Sequence, residues 1–119
     1  MKGKMDNGKG SIVIDREVLA KYAGSAAMDC FGIVGMASVN VKDGVTNLLK
    51  KEHVSRGVAL AVVDNRLKIE LHVIAAYGVN IPAVSRNLIE NVRGRVEAQT
   101  GMEVEKITVI VEGVRDIDD

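Results

Sequence analysis

VALAVVDNRLKIELHVIAAY, from Val58 to Tyr77, holds two β-rich runs around Asp64-Asn65. Asp and Asn tolerate the positive φ of a two-residue hairpin turn, so the stretch predicts a β-hairpin. In its second arm Leu67, Ile69, Leu71, Val73 and Ala75 share one side. Lys68, Glu70 and His72 share the other side, before giving way to Ile74 and Ala76. Successive strand side chains point to opposite faces. One face of this strand is therefore core, and the other is polar at one end and apolar at the other.

The strand runs into a helix through AYGVNIPAVSRNLIENV, Ala76 to Val92. Gly78 supplies a backbone conformation closed to other residues where the strand ends. Asn80 is placed to cap the helix, and Pro82 fits a first turn where no N–H partner is missed. Ile81, Val84, Leu88, Val92 and Val96 then form an apolar stripe with Ile89 beside it. Arg86, Glu90, Arg93 and Glu97 fall outside it, and Gly101 is a natural stop. EKITVIVEG follows as a strand, with Ile107, Val109 and Val111 inward and Lys106, Thr108 and Glu112 outward.

Upstream, residues 1–9 are polar and glycine-rich and predict a flexible tail. GSIVI predicts a strand ending near Ile14, and Asp15 an N-cap for a helix over REVLAKYAGSAAMDC. In that helix Val18, Tyr22, Ala26 and Cys30 lie four apart, and Leu19, Ala23 and Ala27 widen the stripe. Gly24 lowers helix propensity by about 1 kcal/mol, which close packing against a sheet would justify. FGIVGM breaks the helix, MASVNV reads as a short strand, and DGVTNLLKKEHVSRG as a short helix from Thr46 to Lys50 followed by a loop.

Strand, helix, short strand, hairpin, helix, strand predicts an α+β fold. It is a two-layer α/β sandwich, a small mixed sheet with two amphipathic helices on one face, near the split βαβ pattern. The expected organisation is a tail over 1–9, one domain over 10–114 and an acidic tail over 115–119.

With 119 residues and 3% aromatics, the chain must build an aliphatic core. Sixteen basic residues balance sixteen acidic ones, which argues against phosphate-driven binding of nucleic acid. No apolar run reaches the roughly 18 residues that a membrane span needs. The N-terminus lacks a signal-peptide core, so the reading is cytoplasmic.

Chemistry is sparse. There is no glycine-rich phosphate loop, no cysteine pair, and no ligand spacing between His53 and His72, so no catalytic residue, cofactor or metal is expected. Cys30 reads as a small core residue, His53 as a loop histidine, and His72, Glu70 and Glu112 as members of a solvated strand face. Two features stand above that background. Lys50, Lys51, His53 and Arg56 gather basic charge that could meet an acidic partner. Val63, Ile74, Ala76 and Ile110 would lie on the sheet face away from the helices, where an apolar patch favours self-association.

The stretch YGVNIPAVSRNLIENVRGRVEAQTGMEVEKITVIVEGV, with GSIVIDREVLAKYAG, GIVGM and SRGVALAVVDNRLKIELHVI, resembles the alkaline shock protein family (the Gls general stress proteins). The resemblance runs from about Gly10 to Val114, and the junction from Tyr77 to Pro82, followed by the helix and Thr100-Gly101, is fairly specific to the family. The segment from Val39 to His53 departs most from the pattern. The family is not regarded as enzymatic; its members act in the envelope stress response, mainly of Gram-positive bacteria. Some self-assemble or are held at the membrane by an anchoring partner, and single-domain members often have genes beside a fatty acid kinase-like protein. The resemblance therefore implies a cytoplasmic scaffold or regulator, membrane-associated through a partner and linked to lipid metabolism. The protein partners it implies are a membrane anchor, a fatty acid kinase-like protein and further copies of the chain. A small-molecule or acyl-chain-binding regulator is the alternative, ahead of a nucleic-acid-binding module.

Overall fold

The computed structural model describes residues 2–6, 11–38, 49 and 51–116. Strands β1 (Lys2–Asp6) and β2 (Ser11–Asp15) pair antiparallel, so the polar start of the chain contributes a strand. Asp15 ends β2 and caps α1 (Arg16–Met28), its carboxylate accepting the Glu17 N–H at 2.8 Å. Then come β3 (Ile33–Met36), a 3-10 helix over Lys51–Gly57, β4 (Val58–Val63) and β5 (Arg66–Ala76). The chain closes with α2 (Ile81–Thr100) and β6 (Glu103–Arg115).

The hairpin predicted from Asp64-Asn65 is β4–β5, with φ of 52° and 62° at the two turn residues. β5 organises the main sheet. Its Arg66–Leu71 half pairs antiparallel with β4, and its Val73–Ala75 end pairs with β3 along the same edge. The other edge pairs in parallel with β6 along its whole length, so β5–α2–β6 is a βαβ unit in a mixed sheet. The fold is α+β, as its pattern predicts, with both helices on one face.

The inward side of β5 is the floor of the core. Leu67, Ile69, Leu71 and Val73 are each 2% exposed or less, under Leu19, Leu88, Val92 and Val96. Each such side chain contributes about 1.5–3 kcal/mol relative to exposure. α2 starts as its sequence dictates: the Asn80 side chain accepts the Ala83 N–H at 3.0 Å, and Pro82 lies in the first turn. It stops at Gly101, which takes φ 72°.

Four expectations need correction. The buried stripe of α1 is rotated from the predicted one: Leu19, Ala20, Ala23, Ala26 and Ala27 are buried, while Val18 and Tyr22 are both 42% exposed. Small residues win because α1 packs closely. A Cβ on Gly24 would lie 3.1 Å from Val54, so the close neighbour is the 3-10 helix and not the sheet. That 3-10 helix occupies residues read as a loop, with Val54 buried and Gly57 tucked against Ala37 and Met36. The strand expected over MASVNV lies earlier, at Ile33–Met36, because Gly32 at φ 87° turns the chain directly into it. The predicted helix from Thr46 to Lys50 lies outside the described residues, Leu49 apart.

Candidate functional site

The sheet face turned away from the helices carries the polar residues of β5. Cross-strand pairing puts Ala59 against Glu70, Ala61 against Lys68 and Val63 against Arg66 on that face. From β6 come Lys106, Thr108 and Ile110, opposite Lys68, Glu70 and His72. A depression of about 300 Å³ lies here, bounded by Ala59, Ala61, Lys68, Glu70, Lys106 and Thr108.

His72 is not on a solvated surface; it is 7% exposed. Its place on the central strand, flanked by β3 and β6, removes it from water. Nε2 lies 2.8 Å from Glu70 Oε2, and Nδ1 lies 3.9 Å from Glu112 Oε2 without a hydrogen-bond partner. Glu112 reaches toward the ring because β6 carries an extra residue there, between the pairs Val73–Val111 and Ile74–Gly113. The trio is a polar plug at the centre of the sheet, with no nucleophile in its hydrogen bonds. Among the described residues no group of three or more His, Cys, Asp or Glu is arranged to hold a metal.

The candidate surface residues do not form one patch. Val63 is 45% exposed at the hairpin end of the sheet. Ile74 and Ala76 lie at the opposite end of β5, 1% and 2% exposed, already covered within the chain. Eight residue steps of strand separate Arg66, which faces Val63, from Ile74, a span of roughly 26 Å. Ile110 sits between them, half-buried opposite His72. Of the basic group, Arg56 is exposed at the end of the 3-10 helix, while Lys50 and the side chains of Lys51 and His53 lie outside the described residues. Cys30 is buried; its Sγ donates to the Ala26 carbonyl at 3.4 Å and accepts from Asn91 Nδ2 at 3.1 Å.

A different surface is the most exposed apolar part among the described residues. The chain has one Phe, two Tyr and no Trp, and all three aromatics face solvent: Phe31 at 79%, Tyr77 at 76% and Tyr22 at 42%. Phe31 and Tyr77 each precede a positive-φ glycine, Gly32 at 87° and Gly78 at 88°. The turns lie at one end of the sheet, where the Ala76 N–H donates to the Gly32 carbonyl at 2.8 Å and the Tyr77 N–H to the Arg115 carbonyl at 2.8 Å. Phe31 stands between two depressions. One of about 310 Å³ is lined by Ile33, Val34, Ala76 and Val79, and one of about 330 Å³ by Val79, Ala83, Val84 and Asn87. The repeated aromatic-glycine pair was the available signal in sequence; only strand pairing brings its two copies to one end.

Comparison with known proteins places this chain in a family. The profile of the alkaline shock protein family, described as having a "cell envelope-related function", matches residues 4–116. YloU of Bacillus subtilis (strain 168) is 43% identical over 107 residues, covering 89% of each chain. Spy1614 of Streptococcus pyogenes serotype M6 is 33% identical over 116 residues, 97% of this chain and 96% of that one. A "stress response regulator gls24 homolog" of Streptococcus pyogenes serotype M3 is 24% identical over 110 residues, 90% of this chain and 60% of the relative. No solved structure matches. No helix among the described residues is long and apolar enough to cross a membrane. With a match that runs through nearly every element of the fold, the chain belongs to the alkaline shock protein family, the Gls24-type stress proteins with a cell-envelope-related role.

Proposed function

We propose that this protein is a non-catalytic scaffold or regulator of the envelope stress response that works by binding other proteins through its aromatic end. One observation carries the reading: an aliphatic protein with three aromatic residues spends all of them on the surface, two at the same end of its sheet. Buried aromatics are the largest apolar contributors to a core. Left outside beside apolar depressions, they are the residue type that anchors protein interfaces. In this reading the protein acts from the cytoplasm and reaches the membrane through a partner. Its partners, a membrane anchor or a fatty acid kinase-like protein among them, tie it to lipid metabolism.

The test is affinity capture from native cells, with soluble and membrane fractions kept apart, using the wild-type chain and a Phe31→Ser plus Tyr77→Ser variant. A defined envelope or lipid-metabolism protein recovered with the wild type and lost with the variant is the expected result. Identical recovery by both sinks the aromatic-end reading. The depressions beside Phe31 also support an acyl-chain regulator, being at the lower limit of ligand-pocket size. Thermal stabilisation by fatty acids that Phe31→Ser abolishes would favour that reading over protein binding.

A further inference from the structure

β6 is the longest strand of the protein, 13 residues, and among the described residues it pairs with β5 alone. Its other edge therefore offers a row of backbone donors and acceptors, the usual template for adding a strand. Most natural edges are short or broken by charge. This one carries charge at its two ends and an uncharged centre, Ile107-Thr108-Val109-Ile110-Val111.

We infer that two copies of this chain pair along β6, antiparallel, about a two-fold axis through Val109. That register follows from the residues. Val109 faces its own copy, Ile107 faces Val111, and Val104 faces Val114, all on the helix-covered side. On the other side Thr108 faces Ile110, Lys106 faces Glu112, and Glu103 faces Arg115. Lys106 and Glu112, and Glu103 and Arg115, thus meet as opposites while Glu105 falls against Gly113, and the two-fold repeats each ion pair. A shift of two residues either way sets Lys106 against Ile110 or Val114, and a one-residue slip turns the core side outward.

The backbone irregularities fall within one residue of the same symmetry. Relative to β5, the strand carries extra residues at Glu105 and Glu112, four before and three after Val109. Under the two-fold each falls beside its counterpart, so the two bulges bend the paired edges together. The axis stands normal to the sheet, and the result is one continuous sheet with all helices on one face. The pairing deepens the interaction reading by giving an edge and a register to the self-association that the resemblance implies, but it does not use the aromatic end, so each can fail without the other.

Sedimentation equilibrium on the full chain tests it, with Lys106→Glu, Glu112→Lys and the two combined. The expected result is a wild-type dimer, weakened about tenfold or more by either single reversal, since both copies of a cross-strand pair become repulsive. The combined swap restores it. Lys106 is exposed, so its reversal leaves the fold intact as read by circular dichroism. Val109→Cys, compared with the wild type and its buried Cys30, should form a disulfide-linked dimer on mild oxidation. A wild type that stays monomeric up to about 1 mM overturns the proposal. So does a dimer indifferent to both reversals, or one abolished by Phe31→Ser plus Tyr77→Ser, which would move the contact to the aromatic end.

Discussion

Gly57 and Gly94 show how far the environment of one position sets the sign of the same change. A methyl group on Gly57 would lie 2.7 Å from the Ala37 carbonyl oxygen and 2.9 Å from Met36 Cβ, so backbone would have to move. Gly57→Ala is expected to destabilise the protein by about 1–3 kcal/mol, as overpacked sites do. At Gly94, exposed in the interior of α2, the added atom meets nothing within 4 Å. Gly94→Ala should therefore stabilise by about 0.5–1 kcal/mol, the cost of glycine inside a helix. Urea titration of the two variants gives midpoints on opposite sides of wild type; a shift in the same direction for both would refute the account. Neither sign is visible in sequence, because Ala37 and Gly57 meet only after the chain has folded.

At the helices, local chemistry was legible and docking was not. Asn80, Pro82 and Gly101 bound α2 where their side chains and backbone preferences put them, and the Asp64-Asn65 turn sits where its residue types require. Asn80→Ala should cost about 1 kcal/mol by leaving the Ala83 N–H without its side-chain acceptor, while Asn80→Asp retains most of it. Thermal melts of the pair measure the difference. The face of α1 was a different matter. Four-residue spacing favoured Val18 and Tyr22 equally with the alanines, and what decided against them was Val54, from a 3-10 helix far along the chain, sitting 3.1 Å from the Cβ position of Gly24. The same limit explains His72, whose alternating neighbours read as solvated although β6 and Glu112 close over it.

The assembled protein depends on β5 more than on any other element. Among the described residues it is the only strand of the main sheet bonded on both edges, holding β3 and β4 on one side and β6 on the other. The core beneath it is filled by Leu88, which is 0% exposed. Leu88→Ala should cost about 2–5 kcal/mol, with a cooperative transition preserved at a lower midpoint. The double loss of Phe31 and Tyr77 side chains should leave stability within about 0.5 kcal/mol of wild type, as surface changes do. In the proposed reading, binding and folding energy thus reside in different side chains.

That sheet arrangement also has a clock. No strand of the main sheet can leave without releasing β5, so β5 amides should exchange with deuterium only when the whole protein opens, at the slowest rates measured. In β6 the hydrogen-bonding direction alternates along the strand, so every second amide faces the edge away from β5. In a solitary chain those amides exchange quickly between slow neighbours, a sawtooth along Glu103–Arg115. Raising the protein concentration should flatten the teeth around Val109, turning deuterium uptake into a residue-by-residue record of what occupies that edge.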